Sequence, residues 1–229
     1  MANTVNNVDP FGDGSGVALW QFDGNANDAG GNYNGTWHGT EQYDTGKFGQ
    51  AAKFNNSYIN TIFQNTTNIY FSYSFWFKSY VADTTLGVLV DDRENSSTYN
   101  RSIYVTLDFK NTTNKYLKIL IKDGTTTWDN SIPFSPNDND WHFLCVIYDN
   151  DLHTYLDNVL KDETSISTTR ILKSGYLYFG KYLYGSSNYY FNGLIDQVRI
   201  FNRALTAEEV AILYNEYKPL KSFARSNIF

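Results

Sequence analysis

The sequence predicts an all-β fold, a two-sheet antiparallel sandwich or jelly roll that is completed by one short C-terminal helix. Aromatic residues make up 17% of the 229 residues and charged residues only 18%, and Tyr, Phe and Thr favour pleated, half-buried surfaces. Apolar residues also alternate with polar ones in short runs, and clusters of Asn, Asp, Gly, Thr and Ser separate the runs, as in strands joined by turns. One helical pattern follows the last run, and many strands with a single late helix favour two packed sheets.

Nine runs show this alternation and are predicted as strands: 17–22, 69–78, 86–91, 102–109, 116–122, 141–149, 152–157, 175–182 and 191–201. In the second run Phe71, Tyr73, Phe75 and Phe77 share one face. Ser72, Ser74 and Lys78 share the other face with Trp76, so we expect that strand to be half-buried. Two hairpin turns are predicted, one at 149–151 and one at 157–158, because Asn and Asp tolerate a positive φ angle.

One helix is predicted near the C-terminus, in "LTAEEVAILYNEY". Thr206 and Glu209 have the spacing of a capping box, in which each side chain accepts a hydrogen bond from the other residue's backbone N–H. An apolar stripe at helical spacing follows and would pack on a sheet: Val210, Leu213, Tyr214 and Tyr217. Pro219 comes after the last turn.

Composition and charge exclude several classes of partner. The formal net charge is −6 and the pI is about 5.0, without a cluster of cations, so we expect no nucleic-acid binding. No stretch approaches the roughly 20 apolar residues of a membrane span, so we expect no membrane insertion. The first 16 residues lack the basic and apolar regions of a signal peptide. The single cysteine, Cys145, lies in an apolar run and is expected to be a buried hydrophobic residue.

Four segments resemble a known family in sequence and in order. They are "ALWQFDGNANDAGGNYNGT", "GKFGQAAKFNNSYI", "WHFLCVIYDNDLHTYLDNVL" and "GLIDQVRIFNRALTAEEVAILYNE". They are similar to the opening strand and loop, the next strands, the Trp-His hairpin, and the closing strand and helix of laminin-G-like jelly rolls in the concanavalin A-like lectin/glucanase superfamily. The resemblance divides the chain into an N-terminal arm (1–16), a jelly roll (17–217) and a C-terminal tail (218–229).

This resemblance implies a two-sheet antiparallel jelly roll, usually with a structural calcium ion. Members of the family are glycan- or protein-binding modules, and a related branch contains glycoside hydrolases, so the fold alone does not select a function. A glycosidase needs two carboxylates about 5–10 Å apart, and the Glu-x-Asp-x-x-Glu pattern of the hydrolase relatives does not occur in this sequence. The three histidines also lack the spacing of zinc ligands. We therefore expect no catalytic residues and no enzymatic activity.

The segment "DGNAND" is a candidate calcium loop. Asp23, Asn25 and Asn27 have the 1, 3, 5 spacing of oxygen ligands, and Asp28 follows directly. The loop is not an EF-hand, because its twelfth position is Asn34 rather than Glu and no helices are predicted beside it.

The family resemblance adds Asp196, whose counterpart in the closing strand usually reaches the ion. Asp196 lies in an apolar strand, where an unpaired carboxylate would be costly to bury. The predicted site therefore consists of Asp196, Asp23, Asn25 or Asp28, and backbone carbonyls near Gly49, with Ca²⁺ as a structural cofactor. The alternative is that Asp196 pairs with Arg199 or with a backbone N–H and that the loop is merely solvated.

Loop aromatics are the candidate ligand-binding residues, because sugar faces stack on exposed rings. Trp128 is predicted to lie in a loop, and Tyr184, Tyr189 and Tyr190 flank the segment "GSSN". Packing beneath long loops is the alternative role for these rings.

Together these observations predict a non-catalytic binding or structural protein on the surface of a bacteriophage virion, of the capsid-decoration or tail-fibre type. The opening "DPFGDGSGVALWQFDGNANDAGGNYNGT" resembles jelly rolls of phage structural proteins, and the tail "KPLKSFARSNIF" combines basic and apolar residues suited to docking. The expected partners are other virion proteins or further copies of the chain, and cell-surface glycans of the host. The expected location is the virion surface after synthesis in the host cytoplasm. The alternative is an extracellular bacterial glycan-binding module, with a glycoside hydrolase as a distant third.

Overall fold

The structure is a computed structural model that describes residues 7–64, 70–80, 86–91, 102–108, 115–123, 126–135, 139–166, 176–184 and 187–216. Their elements are β1 Gly16–Trp20, β2 Gly35–His38, β3 Tyr43–Thr45, β4 Gln50–Phe54, β5 Tyr58–Thr61, β6 Phe71–Ser79, β7 Leu86–Asp91, β8 Ser102–Asp108, β9 Tyr116–Asp123, β10 Thr126–Pro133, β11 His142–Tyr148, β12 Asp151–Leu156, β13 Val159–Ser165, β14 Tyr178–Phe179, β15 Lys181–Tyr184, β16 Ser187–Tyr190, β17 Gly193–Phe201 and α1 Ala207–Tyr214.

These strands form two antiparallel sheets, which confirms the predicted all-β jelly-roll sandwich. The first sheet has eight strands in the order β13-β12-β11-β6-β17-β4-β3, with β1 also paired to β17. The second sheet has seven strands in the order β10-β9-β8-β7-β14-β5-β2. A further pair, β15 and β16, leaves the second sheet directly after β14 and returns to β17 of the first sheet.

The main hydrophobic core lies between the inner faces of the two sheets. The aromatic face of β6 belongs to it, as predicted, together with inward side chains of β8, β9 and β14. The alternation along each strand decides which side chains enter this core. Ile59 of β5 and Phe179 of β14 are fully buried here, so their chain neighbours face outward from the second sheet.

The prediction that β6 is half-buried is wrong. Ser72, Ser74 and Trp76 on its outer face are buried as well, because a second apolar cluster covers this face of the first sheet. Helix α1 contributes Val210 and Leu213 to that cluster. The alternation within one strand predicts which residues share a face, but it does not predict whether a helix from a distant part of the sequence packs on that face.

The predicted turns and the helix cap are confirmed. Asn150, Asp157 and Asn158 have positive φ angles, as the two hairpins require. Thr206 accepts a hydrogen bond from the N–H of Glu209 at 3.3 Å, and the Glu209 carboxylate accepts one from the N–H of Thr206 at 2.8 Å. The helix has eight residues, and no described helix is long and apolar enough to cross a membrane.

The described part of the N-terminal arm lies against the jelly roll. The ring of Phe11 lies 5.6 Å from that of Phe201, and the Asp13 carboxylate forms an ion pair of 2.6 Å with Arg203. The predicted tail, 218–229, lies outside the described residues.

Candidate functional site

Asp196 lies where strand β17 changes its neighbour. Ile195 pairs with β4, whereas Val198 pairs with β1, and the register against β6 shifts between Asp196 and Arg199. Gln197 accordingly has a φ of 53°, an unusual value for a residue other than glycine. Backbone conformations of this kind are costly and concentrate at functional sites. The bulge directs the Asp196 side chain to the outer face of the first sheet, beside Trp76, its cross-strand partner.

The Asp196 carboxylate is buried and only partly satisfied. Its side chain has no exposed surface, and its Oδ2 atom accepts a hydrogen bond of 2.9 Å from the N–H of Phe48. Its Oδ1 atom has no hydrogen-bond partner among the described residues. Burial raises the pKa of Asp196 well above the usual carboxyl range, and the nearby Asp23 charge raises this pKa further.

The alternative prediction for Asp196 holds only for one oxygen. The backbone N–H of Phe48 is the partner of Oδ2. Arg199 instead forms a buried ion pair of 2.9 Å with Glu216 at the end of the helix. The second carboxylate oxygen of Asp196 has no well-formed hydrogen bond among the described residues, although the backbone N–H groups of Lys47 and Gln197 lie close enough to lower the carboxyl pKa. This arrangement costs free energy unless a cation or water completes it.

A tight turn between β3 and β4 packs directly on Asp196. The N–H of Gly46 donates to the carbonyl oxygen of Gly49 at 3.0 Å, and Gly49 has a φ of 71°. A Cβ on Gly46 would lie 2.7 Å from the Asp196 Oδ2 atom and 2.6 Å from the carbonyl carbon of Gln50. Position 46 thus requires glycine, because the Asp196 carboxylate and the Gln50 backbone approach its Cα too closely for a side chain. The two glycines of "GKFG" are the sequence signal that would have identified this turn.

Asp23 reaches the same turn from the other end of the chain. Its Oδ1 atom accepts a hydrogen bond of 2.7 Å from the N–H of Gln50, and it follows Phe22, which has a φ of 56°. The structure therefore brings together Asp23, the turn that contains Gly49, and Asp196, as the family resemblance implied. Two carboxylates and the backbone carbonyls of a tight turn are an oxygen-rich ligand set of the kind that calcium prefers.

Two other predicted ligands have different roles. The oxygens of Asp28 accept four backbone hydrogen bonds of 2.9–3.2 Å, which close its own loop. Asn25 is exposed, and its Oδ1 atom accepts from the N–H of Asn27 at 2.9 Å. We therefore leave both residues out of the candidate cation site, because their oxygens already serve as local turn acceptors.

A second candidate site lies on the outer face of the second sheet. His38 pairs with Tyr58 across β2 and β5, and Asn60 pairs with Tyr178 across β5 and β14. The inward neighbours of Tyr58 and Tyr178 occupy the core, so these four side chains share the outer face.

The pair β15–β16 adds two residues to this face. Lys181 and Tyr190 are cross-strand partners at its base. The chain can turn there because Gly180 has a φ of 84°, and a Cβ at this position would lie 2.4 Å from the Phe54 ring. The tertiary fold thereby joins residues from five strands into one group, which we call the tyrosine cluster: His38, Tyr58, Asn60, Tyr178, Lys181 and Tyr190.

The rings of the tyrosine cluster surround Tyr58. The His38 ring is stacked on it at 4.4 Å with an interplanar angle of 6°. The Tyr178 and Tyr190 rings lie 6.1 and 6.4 Å away, tilted by 41° and 35°. Tyr58, Tyr178 and Tyr190 are half-buried and His38 is exposed. Partial burial raises the pKa of Tyr58, with a smaller contribution from Tyr190, so its hydroxyl stays protonated and able to donate at neutral pH.

The predicted ligand-binding residues divide between these locations. Tyr190 belongs to the tyrosine cluster. Tyr189 lies on β16 opposite Tyr182, and the side chain of Tyr184 lies outside the described residues. The prediction that Trp128 lies in a loop is wrong, because it is in strand β10 and packs against the main core. The segment "TTWDNSIP" was not predicted as a strand because it is mostly polar.

Sequence reasoning missed most of the tyrosine cluster. His38, Tyr58, Asn60, Tyr178 and Lys181 were not singled out, although an outward Tyr-x-Asn pair in "SYINT" and the aromatic segment 176–190 were visible. Cross-strand neighbours are set by sheet register, which a single sequence does not contain.

One further group has the composition of a metal site. Ligand atoms of Asp149, Asp151 and His153 all lie within 4.8 Å of one another at the β11–β12 hairpin. The two ring nitrogens of His153 lie 2.9 Å from the Asp149 carboxylate and 3.3 Å from the Glu163 carboxylate. Surface ion pairs account for this cluster.

The fold is that of a lectin-like β-sandwich domain. The chain belongs to the concanavalin A-like lectin/glucanase superfamily, because a family model of the Laminin_G_3 type matches residues 49–211. No curated protein matches the chain in sequence.

Two solved structures illustrate the likeness in fold. Domain 4 of AbnA, an extracellular GH43 arabinanase from Geobacillus stearothermophilus in complex with arabinotriose, has a TM-score of 0.65 at 24% identity, over 86% of this chain and 97% of that one. The botulinum neurotoxin type C structure, described by its dependence on two ganglioside molecules for cell entry, has a TM-score of 0.70 at 16% identity, over 93% of this chain and 52% of that one. The chain thus spans about half the length of the neurotoxin chain.

Proposed function

We propose that the protein is a non-catalytic glycan-binding module whose binding surface is the tyrosine cluster. The observation that carries this proposal is the grouping of three half-buried tyrosines and a stacked histidine on one outward sheet face, with polar side chains among them. Apolar ring faces that are flanked by a few fixed polar groups are the usual composition of small-ligand sites.

The chemistry of the cluster matches that of a sugar. The apolar C–H face of a pyranose or furanose ring packs on an aromatic face, which supplies most of the contact area. Sugar hydroxyls need donors and acceptors at the rim, and the pair formed by His38 Nε2 and Asn60 Oδ1, 2.7 Å apart, lies beside the Tyr58 ring. The described elements therefore offer both an apolar platform and polar partners.

The structural relatives support this proposal through their own ligands. The arabinanase domain was solved with arabinotriose, and the neurotoxin structure is described through its gangliosides. Both proteins share the fold with this chain, and we extend glycan recognition to the chain as part of the proposal.

A glycan array with the full chain tests this function. We expect binding to a limited set of oligosaccharides, and we expect Tyr58→Ala to weaken it at least tenfold, roughly the cost of truncating a central aromatic contact. Tyr70→Ala is the matched control, because Tyr70 is an exposed tyrosine whose hydroxyl contacts Asn150, at the β11–β12 hairpin rather than in the tyrosine cluster. Equal affinity of wild type and Tyr58→Ala for every array ligand would refute the proposed surface.

We further propose a structural Ca²⁺ ion at the candidate cation site. Asp196, Asp23 and the carbonyl of Gly49 would hold it, and the ion would supply the positive charge that the Asp196 Oδ1 atom lacks. Such an ion would tie the opening loop to the closing strand. Calorimetric titration of calcium into chelator-treated protein should show binding that Asp196→Asn abolishes, and heat identical to that of buffer would contradict this part of the proposal.

For the setting of this module we propose the surface of a bacteriophage virion, with the tail as the docking element. The jelly roll supports a role in recognition, and the sequence of 218–229 supports docking because it is basic and apolar without acidic side chains. Mass spectrometry of purified particles should detect the chain, and a chain that lacks 218–229 should fold but be missing from the particles. An extracellular bacterial glycan-binding module is the alternative, and secretion by a bacterial host without any particle would favour it.

A further inference from the structure

We propose that the tyrosine cluster selects glycans that carry an anionic group, a carboxylate or a sulfate ester, and that Lys181 is the specificity-determining residue. This inference rests on the proposed glycan-binding function and deepens it by naming the class of sugar. It is based on two observations: the Lys181 ammonium group lies against the aromatic rings, and no described carboxylate pairs with it.

The ammonium group of Lys181 lies at the centre of the cluster. Its Nζ atom is 4.4 Å from the Tyr58 ring centroid and 5.5 Å from the Tyr190 ring centroid. The backbone beneath it is fixed, since Lys181 pairs with Tyr190 and the adjacent Phe191 N–H donates to the Gly180 carbonyl at 2.9 Å. The side chain is half-buried. A sugar stacked on the tyrosines would therefore contact this group.

Among the described side chains, no carboxylate neutralises the Lys181 charge. In the part of the chain that the structure describes, its interactions are the two ring contacts, and no acidic oxygen lies within 4.0 Å. Other lysines on this protein do have such a partner at 2.9 Å, such as Lys53 with Asp44 and Lys118 with Asp108. Aromatic faces stabilise a cation but accept no conventional hydrogen bond, so the ammonium N–H donors remain available to a ligand.

An anionic substituent on a stacked sugar satisfies this arrangement best. The apolar rings keep water from one side of the ammonium group, which strengthens its attraction to a negative charge relative to a fully solvated lysine. A neutral sugar gains only a hydrogen bond at the same place. Because the whole chain has a net charge of −6, its overall field disfavours anionic ligands, and the selectivity must come from this local cation.

Isothermal titration with matched sugar pairs tests the inference. The probes are trigalacturonate against trigalactose, triglucuronate against triglucose, and a sulfated lactose against lactose. We expect the wild-type chain to bind at least one anionic member tighter than its neutral partner by roughly three- to tenfold, as for one partly desolvated charge contact. We expect this preference to shrink when the ionic strength rises from about 0.05 M to about 0.5 M.

Two variants separate selectivity from binding. Lys181→Gln removes the charge and leaves a polar side chain that is one atom shorter, so it should bring the ratio of anionic to neutral affinity close to one, whatever it does to the neutral affinity. Lys161→Gln, an exposed lysine on β13, should change neither. Equal affinities within every pair, or a preference that survives in Lys181→Gln, would overturn the inference and leave glycan binding intact. Failure of all array ligands to distinguish wild type from Tyr58→Ala would instead refute the tyrosine cluster as the binding surface.

Discussion

Calcium should decide whether Asp196→Asn is less stable than the wild type. In excess calcium the variant should be less stable, and in a chelator it should be as stable or more stable. Calcium at one hundred times its Kd should stabilise the wild-type fold by about 2.7 kcal/mol, because it binds the folded state alone. A chain of this size gains roughly 2–4 °C in melting temperature per kcal/mol, so the wild-type Tm should rise by about 5–11 °C. Asp196→Asn should show no such rise, because the central ligand charge is gone.

The geometry also sets the sign of the effect in a chelator. Asparagine retains an acceptor for the Phe48 N–H, which now bonds Asp196 Oδ2 at 2.9 Å. It removes a buried charge whose second oxygen has no described partner and which lies close to Asp23. Removing an uncompensated buried charge relieves a desolvation cost. Without calcium, Asp196→Asn should therefore melt at or above the wild-type temperature.

Differential scanning calorimetry in excess calcium and in excess chelator measures both effects. Asp28→Asn is the control. It should lower the Tm equally in both buffers by weakening four backbone hydrogen bonds, and it should retain the calcium-dependent rise. A wild-type Tm that is the same in both buffers, or a full calcium shift in Asp196→Asn, would refute this account of the site.

Three further changes have outcomes that the structure fixes. In a urea titration, Gly180→Ala should lower the free energy of unfolding by about 2–4 kcal/mol, because it combines a positive φ with a Cβ 2.4 Å from a phenyl ring, and it should weaken glycan binding. Gly31→Ala is the control, because Gly31 has a φ of 75° but no atom within 4 Å of the added Cβ, and it should lower the free energy of unfolding by only about 1 kcal/mol. Glu216→Ala should lower the free energy of unfolding by about 3–5 kcal/mol, because it removes the carboxylate that forms a buried ion pair with Arg199, and a loss below about 1 kcal/mol would contradict this. Hydrogen bonding by Ser15 lowers the pKa of Asp13 to about 2. The Asp13 carboxylate therefore stabilises the fold fully above its unfolded-state pKa near 3.8, and this stabilisation is lost as the pH falls through about 2. The Tm of Asp13→Asn should depend less on pH across that window than the Tm of the wild type, and parallel plots of Tm against pH for the two proteins would contradict this.

The elements that depend on local chemistry could be predicted from the order of the amino acids. Period-two alternation located most of the long strands but not β10. Asn and Asp at 150, 157 and 158 marked the hairpins, because these residue types tolerate a positive φ. The capping box of Thr206 and Glu209 is likewise a contact between neighbours along the chain. The convergence of Asp23 and Asp196 was predicted only through the family resemblance.

Tertiary structure alone decided what surrounds those elements. Helix α1 buried a strand face that had looked solvent-exposed, and Trp128 became part of a core because β10 pairs with β9. Asp28 accepts backbone hydrogen bonds from its own loop, a role that depends on how that loop closes over it. The tyrosine cluster joins residues from 38 to 190 through sheet register and the turn at Gly180. Strand register depends on which side chains become buried between the two sheets, and this burial is defined only when the whole chain is folded.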